Sequence, residues 1–147
     1  MADRVFLDTN VYKNSAFMGS ASKIRRLLVS SVVIQELLVI TEPRKQEHLC
    51  RSFRDKQAIG EGFVPTEEDW FEVGKCLSKL LQGTGGGVRL SKDEVNLLVR
   101  DALIARCAIR AKAVLVTSNT SDFAKIKQIF KSLQFLSPNE YFGGRPR

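Results

Sequence analysis

Two short apolar runs set the frame for this chain. Val5-Phe6-Leu7 stops against Asp8-Thr9-Asn10, and Ala113-Val114-Leu115-Val116 stops against Thr117-Ser118-Asn119-Thr120-Ser121-Asp122. A strand buried on both faces is continuously apolar rather than alternating, so both runs read as core strands that end in polar turns. Helical signals lie between and after them. Thr66 to Asp69 carries a capping pattern that opens a helix to about Leu81, and Ser91-Lys92-Asp93-Glu94 is a capping box for a long helix to about Lys112. Ser22 to Leu28 reads as helical, with Leu28-Val29 as a short strand running into an N-cap at Ser30-Ser31. Val32 to Ile40 reads as a helix bounded by Pro43, and Arg44 to Lys56 as a polar helix. Gly60-Glu61-Gly62 reads as a turn, Phe63-Val64-Pro65 as extended, Gly83–Gly87 as a mobile loop, Phe123 to Leu133 as a helix and Phe135-Leu136 as a last strand. Strands alternating with helices imply an α/β protein with a mostly parallel central sheet covered on both faces. Ligands of such sheets bind beyond the carboxyl ends of the strands. Asp8, Ser30-Ser31 and the Thr117–Asp122 turn all fall at that edge.

The 147 residues suit one domain, expected over residues 1–142, with a frayed tail at 143–147. No apolar run approaches the ~20 residues of a membrane span. Met1-Ala2-Asp3-Arg4 has none of the features of a signal peptide, so the expected location is cytoplasmic. Cys50, Cys76 and Cys107 are widely spaced and odd in number, which suits free thiols packed as small apolar residues. A single histidine, His48, leaves too few ligands for zinc. The formal charge of +7 favours a polyanionic partner.

Against that basic background, two carboxylates stand in apolar helical surroundings. The neighbours of Glu36 three and four residues away are Val32, Val33, Val39 and Ile40, and those of Asp101 are Leu97, Leu98, Ile104 and Ala105. Both acids therefore point with the buried stripe. A buried ion pair or a capping contact would account for either one alone. No lysine or arginine lies on the same face close to Glu36, and Arg100 and Arg106 flank the Asp101 stripe. Clustered carboxylates repel and hold protons, and a divalent cation removes that penalty. Mg²⁺, or Mn²⁺ in its place, prefers such oxygen ligands and activates water against phosphodiesters. An acid cluster on a basic body therefore points to metal-assisted hydrolysis of nucleic acid. The fourth corner offers Asn119 and Asp122, for which an Asx turn and a helix-dipole contact are the bland alternatives.

These residues also resemble the PIN domain family, and within it the VapC-type toxin ribonucleases of bacterial toxin–antitoxin pairs. Val5 to Val11, Ser31 to Leu37 with Glu36, Asp101 to Ala105, and Val114 through Phe123 resemble its four motifs in order, and Pro65 to Leu81 with Asp69-Trp70 is also similar. The resemblance spans nearly the whole chain. It implies a PIN-like three-layer sandwich of helices about a parallel sheet, metal-dependent cleavage of RNA, a homodimer and an antitoxin partner. By the same resemblance Asp8 and Asp101 are the main metal ligands and Glu36 holds the metal or orients its water. Asn119 sits where many family members carry an acid, which leaves Asp122 as the alternative fourth ligand.

Other readings compete. A haloacid-dehalogenase-type phosphatase needs a second acid two residues beyond Asp8, and Asn10 stands there. A receiver domain needs an acidic pair and a phosphoacceptor strand that the chain lacks. A housekeeping PIN nuclease of RNA maturation and a catalytically weak RNA-binding protein remain as alternatives. Trp70 reads as a helix-packing residue, with base stacking as its other reading. Lys23, Arg25 and Arg26 read as a solvated face or the side of an RNA groove.

Overall fold

Strands β1 (Arg4–Leu7), β2 (Arg26–Ser30), β3 (Glu61–Phe63), β4 (Val114–Val116) and β5 (Phe135–Leu136) form one sheet in the order β3-β2-β1-β4-β5, with every pairing parallel. The computed structural model describes residues 4–14, 17, 24, 26–55, 61–84 and 89–143. Helices α1 (Thr9–Tyr12), α2 (Ser31–Ile40), α3 (Pro43–Asp55), α4 (Glu67–Gln82), α5 (Lys92–Leu97), α6 (Val99–Arg110) and α7 (Thr120–Lys127) connect the strands, and a π-helical turn spans Asn139–Gly143.

The alternation of side chains along a strand explains the layers. Phe6, Leu28 and Leu115 enter one core with Val73, Cys76 and Leu80 of α4 and the small Ala105 and Ala108 of α6. Val5, Leu7, Val114 and Val116 point the other way, onto Val11 of α1, with Phe17, Ile24, Tyr141 and Phe142 packed against them. Both faces of the sheet are covered, so the continuous apolar runs belong to its centre. The fold is the expected PIN-like α/β sandwich.

The order reverses at β1. From there the chain moves outward through β2 and β3, then returns to the other side of β1 as β4 and β5. Such a switch point leaves a crevice between the carboxyl ends of the two central strands. Asp8 and Thr117 are the first residues beyond those ends.

Several expectations change. Residues 26–28 are strand, not helix: Arg4, Val5 and Phe6 pair with Arg26, Leu27 and Leu28, and this pairing overrides the helical preference of Arg and Leu. Residues 22, 23 and 25, and with them Lys23 and Arg25, lie outside the described residues. Gly62 belongs to β3 rather than to a turn, and a Cβ there would come within 2.8 Å of the Phe53 ring. Gly83 ends α4 at φ 71°, where glycine carries no steric penalty, while residues 85–87 of the glycine-rich loop lie outside the described residues. The long helix expected from Ser91 breaks at Leu98, which turns Leu98 inward (2% exposed) and Leu97 outward (79%). The helix expected over Phe123 to Leu133 spans Thr120–Lys127 instead, starting before Asp122 and ending short of Leu133. Of the expected frayed tail at 143–147, Gly143 belongs to the π-helical turn and residues 144–147 lie outside the described residues. Cys76 and Cys107 are buried free thiols, and Cys50 is half-buried.

One polar clasp ties α4 to α6. Asp69 closes the capping box with Thr66 and is fully buried. It accepts from Thr66 N–H (2.9 Å), Arg106 Nε (3.2 Å) and Arg110 Nη2 (3.0 Å). Arg110 also donates to the carbonyl of Val64 and lies over Phe63, while Arg106 lies over Phe130. Burial by itself would raise the Asp69 carboxyl, but the Thr66 N–H and the two guanidiniums hold it below its ordinary value of 3.8. A carboxyl lowered in the fold adds stability above the open-chain value and loses it as pH falls through the folded one. Asp69→Ala leaves two partly buried cations unpartnered and is expected to cost about 3 kcal/mol in urea denaturation near neutral pH. The difference from wild type should shrink as pH falls below 3.8.

Candidate active site

Asp8 is the N-cap of α1 and is 4% exposed. Its Oδ1 accepts from Thr9 N–H at 2.8 Å, and its Oδ2 accepts from Thr117 Oγ1 at 2.7 Å and Asn10 Nδ2 at 3.1 Å. The neighbouring groups join the two strand ends more closely. Asn10 Oδ1 accepts from Ser118 N–H, and Thr117 Oγ1 accepts from Asn119 N–H, both at 3.0 Å. The backbone continues the seam, with Asp8 N–H donating to Val116 O at 2.9 Å.

Glu36 comes in from α2. Its Oε1 accepts from Thr9 Oγ1 at 2.9 Å, and Arg100 Nε lies 3.6 Å from its Oε2. Its side chain is 28% exposed, and Val39 and Ile40 beside it are exposed, so the apolar stripe of α2 ends at about Leu38. Glu36 thus stands at the rim of the crevice rather than under it. Its cation comes from another helix, which no inspection of α2 alone reveals.

Asp101 and Asp122 lie in the first turns of α6 and α7. Asn119 lies between them, and its Nδ2 donates to Asp101 Oδ2 (3.1 Å) and to Asp122 Oδ2 (3.0 Å). Two carboxylate neighbours require the NH₂ side of the amide, since the carbonyl side cannot donate. Lys125 Nζ contacts Asp122 Oδ1 at 3.3 Å. All five residues singled out in the sequence therefore meet at one edge of the sheet. Thr9, Asn10, Thr117 and Arg100 join them; the first three adjoin site residues in the two polar turns, and Arg100 precedes Asp101.

The electrostatics follow from the crowding. Asp101 is raised to about 7, first by burial and then by the negative charges of Asp8, Asp122 and Glu36, with Arg100 opposing. Burial also raises Asp8, while its bonds from Thr117, Thr9 and Asn10 pull it back. Among the described residues, no group of three or more His, Cys, Asp or Glu stands close enough to hold a metal ion without rearrangement. Mg²⁺ asks for less than that: it keeps several waters and binds through one or two carboxylates. Carboxylates crowded enough to hold Asp101 protonated near neutrality fit a divalent cation in charge and in ligand type.

The likenesses to known proteins agree with this architecture. No protein-family model and no curated protein matches the sequence. Solved structures do match. VapBC2 from Rickettsia felis, bound to a DNA fragment from its promoter, aligns with 91% of this chain and 98% of its own at TM-score 0.59 and 22% identity. VapBC-1 from nontypeable Haemophilus influenzae aligns with 92% and 98% at TM-score 0.59 and 20% identity. DNA-bound VapBC from Salmonella typhimurium aligns with 92% and 98% at TM-score 0.60 and 18% identity. At these identities the likeness shows the fold, and the chain has the PIN-like α/β fold of the VapC-containing structures.

Two outcomes test the geometry itself. Thr117→Val removes a buried donor to Asp8 and is expected to cost about 1–3 kcal/mol in urea denaturation. Asp101 is raised in the fold, so the fold holds its proton more tightly than the open chain and loses stability as pH climbs from 3.8 to about 7. Asp101→Asn removes that penalty. In metal-free buffer it should be more stable than wild type above pH 7, on the order of 2 kcal/mol, and gain nothing below pH 3.8.

Proposed function

We propose that the protein is a divalent-cation-dependent endoribonuclease, acting as the toxin of a type II toxin–antitoxin pair. One observation carries the reading: Asp101 is held among Asp8, Glu36 and Asp122 at the switch point of a parallel sheet, in a chain of net charge +7. Opposed fields of this kind suit a polyanion that must approach an acidic centre.

Asp8 and Asp101 would hold Mg²⁺ or Mn²⁺, which when bound supplies Lewis-acid polarisation of a phosphate oxygen and an acidified water. The chain's own groups prepare for this. Thr9 N–H and the Thr117 hydroxyl fix the Asp8 carboxylate, so its orientation is set before substrate arrives. Glu36, steered by Thr9 Oγ1 and Arg100, sits at the rim, where it would complete the metal site or orient a water. Asn119 holds Asp101 and Asp122 at a fixed separation, with its amide where an acid would add a further charge. In this reading Asp122 is the fourth acid and Asn119 its positioning residue.

The partner would be an antitoxin, a reading supported by solved neighbours that are VapBC complexes. A homodimer is the expected assembly by the same resemblance. Among the described residues no helix is long and apolar enough to cross a membrane. A second reading, a catalytically weak RNA-binding protein, is favoured by Asn119, which engages two of the carboxylates through hydrogen bonds.

The deciding experiment is cleavage of single-stranded and structured RNA by wild type, Asp8→Asn and Asp101→Asn, with Mg²⁺, with Mn²⁺ and with chelator. The nuclease reading expects cleavage by wild type that chelator abolishes and that each substitution lowers by ~100-fold or more. Wild-type protein that binds RNA and leaves it intact under every metal condition would transfer the case to the second reading. Asn119→Asp places a third acid beside Asp101 and Asp122. Its melting temperature should fall in chelator and recover more than that of wild type when Mg²⁺ is added, read by differential scanning calorimetry.

A further inference from the structure

Trp70 does not pack inside the fold as its helical position suggests. It is 54% exposed on α4, although it stands one residue from the buried Asp69. Its ring borders a cleft of about 480 Å³ walled by Val32, Val64, Pro65, Val99 and Leu103, with Arg100, Gln35 and Ser31 as its polar residues. That volume lies in the range of small-ligand pockets, and an apolar lining with a few polar groups is their usual make-up.

Arg100 gives the cleft its direction. The same side chain that lines it also pairs with Glu36, so Arg100 is shared between the cleft and the acid cluster. A mostly apolar cleft that has both an aromatic side chain and a cation shared with the acidic centre suits one nucleotide of a single strand. The base has an apolar face to stack, and the phosphate has a charge to place. On the Trp70 side the Asp69–Arg110 clasp and its bond to Val64 O tie α4, α6 and the 64–65 segment together.

We propose that this cleft is a nucleobase subsite of the RNA substrate, with Trp70 as the stacking platform and Arg100 as the contact to the adjoining phosphate; it rests on the ribonuclease reading for its substrate class. Gln35 and Ser31 lie in the same cleft with amide and hydroxyl groups able to meet a base edge, which makes them the residues that would set base preference. A protein segment is the competing occupant. Arg100, shared between the cleft and the acid cluster, favours the nucleotide.

Trp70 is the sole tryptophan, so its fluorescence reports on the cleft directly. An unlabelled single-stranded hexaribonucleotide is titrated into Asp101→Asn protein, in which cleavage is expected to be slowed ~100-fold or more, with inorganic polyphosphate as the charge-only control and a fluorescein-labelled form kept for anisotropy. Saturable quenching by the RNA and none by polyphosphate is expected. By anisotropy, Trp70→Ala in the same background should weaken binding roughly five- to a hundredfold, with Trp70→Phe retaining most of the affinity. Bound RNA that leaves Trp70 emission unchanged, or an unchanged affinity in Trp70→Ala, overturns the subsite. So does a co-expressed partner protein that shields Trp70 from acrylamide where RNA does not, because it assigns the cleft to a protein. Cleavage by the wild-type protein is scored separately. Cleavage with an unresponsive Trp70 removes the subsite alone, whereas a responsive Trp70 without cleavage removes the nuclease reading and leaves the subsite standing.

Discussion

The hydroxyl of Thr117 donates to the carboxylate of Asp8 across the seam between β1 and β4, and the site is assembled around that contact. The two strands are neighbours in space but far apart in sequence, because the sheet turns back on itself at β1. Their carboxyl ends therefore face a crevice that must be filled by side chains. Buried donors and acceptors there have to satisfy one another, and in a low-dielectric pocket a satisfied network holds its members in one arrangement. Asp8, Thr9, Asn10, Thr117 and Asn119 form that network, and Glu36, Asp101 and Asp122 attach to its edges.

Two inward-facing acids of this molecule stand in opposite electrostatic settings. Asp69 is enclosed by Thr66 N–H, Arg106 and Arg110, which hold its carboxyl low and make it a fastening between helices. Asp101 is enclosed by other acids, and its carboxyl is lifted to about 7. The first arrangement is complete as it stands. The second has no such compensation: burial and like neighbours oppose its charge, and its proton is held up to about pH 7.

Much of this was legible beforehand. The apolar runs ending at Asp8 and Thr117 marked the central strands, and the capping boxes at Thr66 and Ser91 marked two helix starts. Helical periodicity was less dependable. It placed Leu97 with Asp101 and Val39 with Glu36 on buried stripes, yet the break at Leu98 and the rim position of α2 leave both apolar residues exposed. Periodicity assumes one continuous helix lying flat on a core, and neither helix meets that condition. The same limit applies to Arg26–Leu28, where pairing with β1 decided the conformation, and to Trp70, whose surroundings are supplied by α2, α6 and the 64–65 segment.

The sequence by itself determined the alternation of strand and helix, the polar turns at the strand ends and the apolar helical surroundings that singled out Glu36 and Asp101, while Asp8 and the Asn119/Asp122 corner also drew on the family resemblance. These are local properties, written in hydrophobic runs, caps and short-range spacing. Only the tertiary structure decided which cation answers which acid: Arg100 to Glu36, Arg106 and Arg110 to Asp69, and no cation answering Asp101 with an ion pair among the described residues. It also decided that Asn119 spaces Asp101 from Asp122 and that Arg100 lines a cleft beside Trp70 while pairing with Glu36. Charge pairing depends on distances between elements remote in the chain, and those distances exist only once the sheet has been wound.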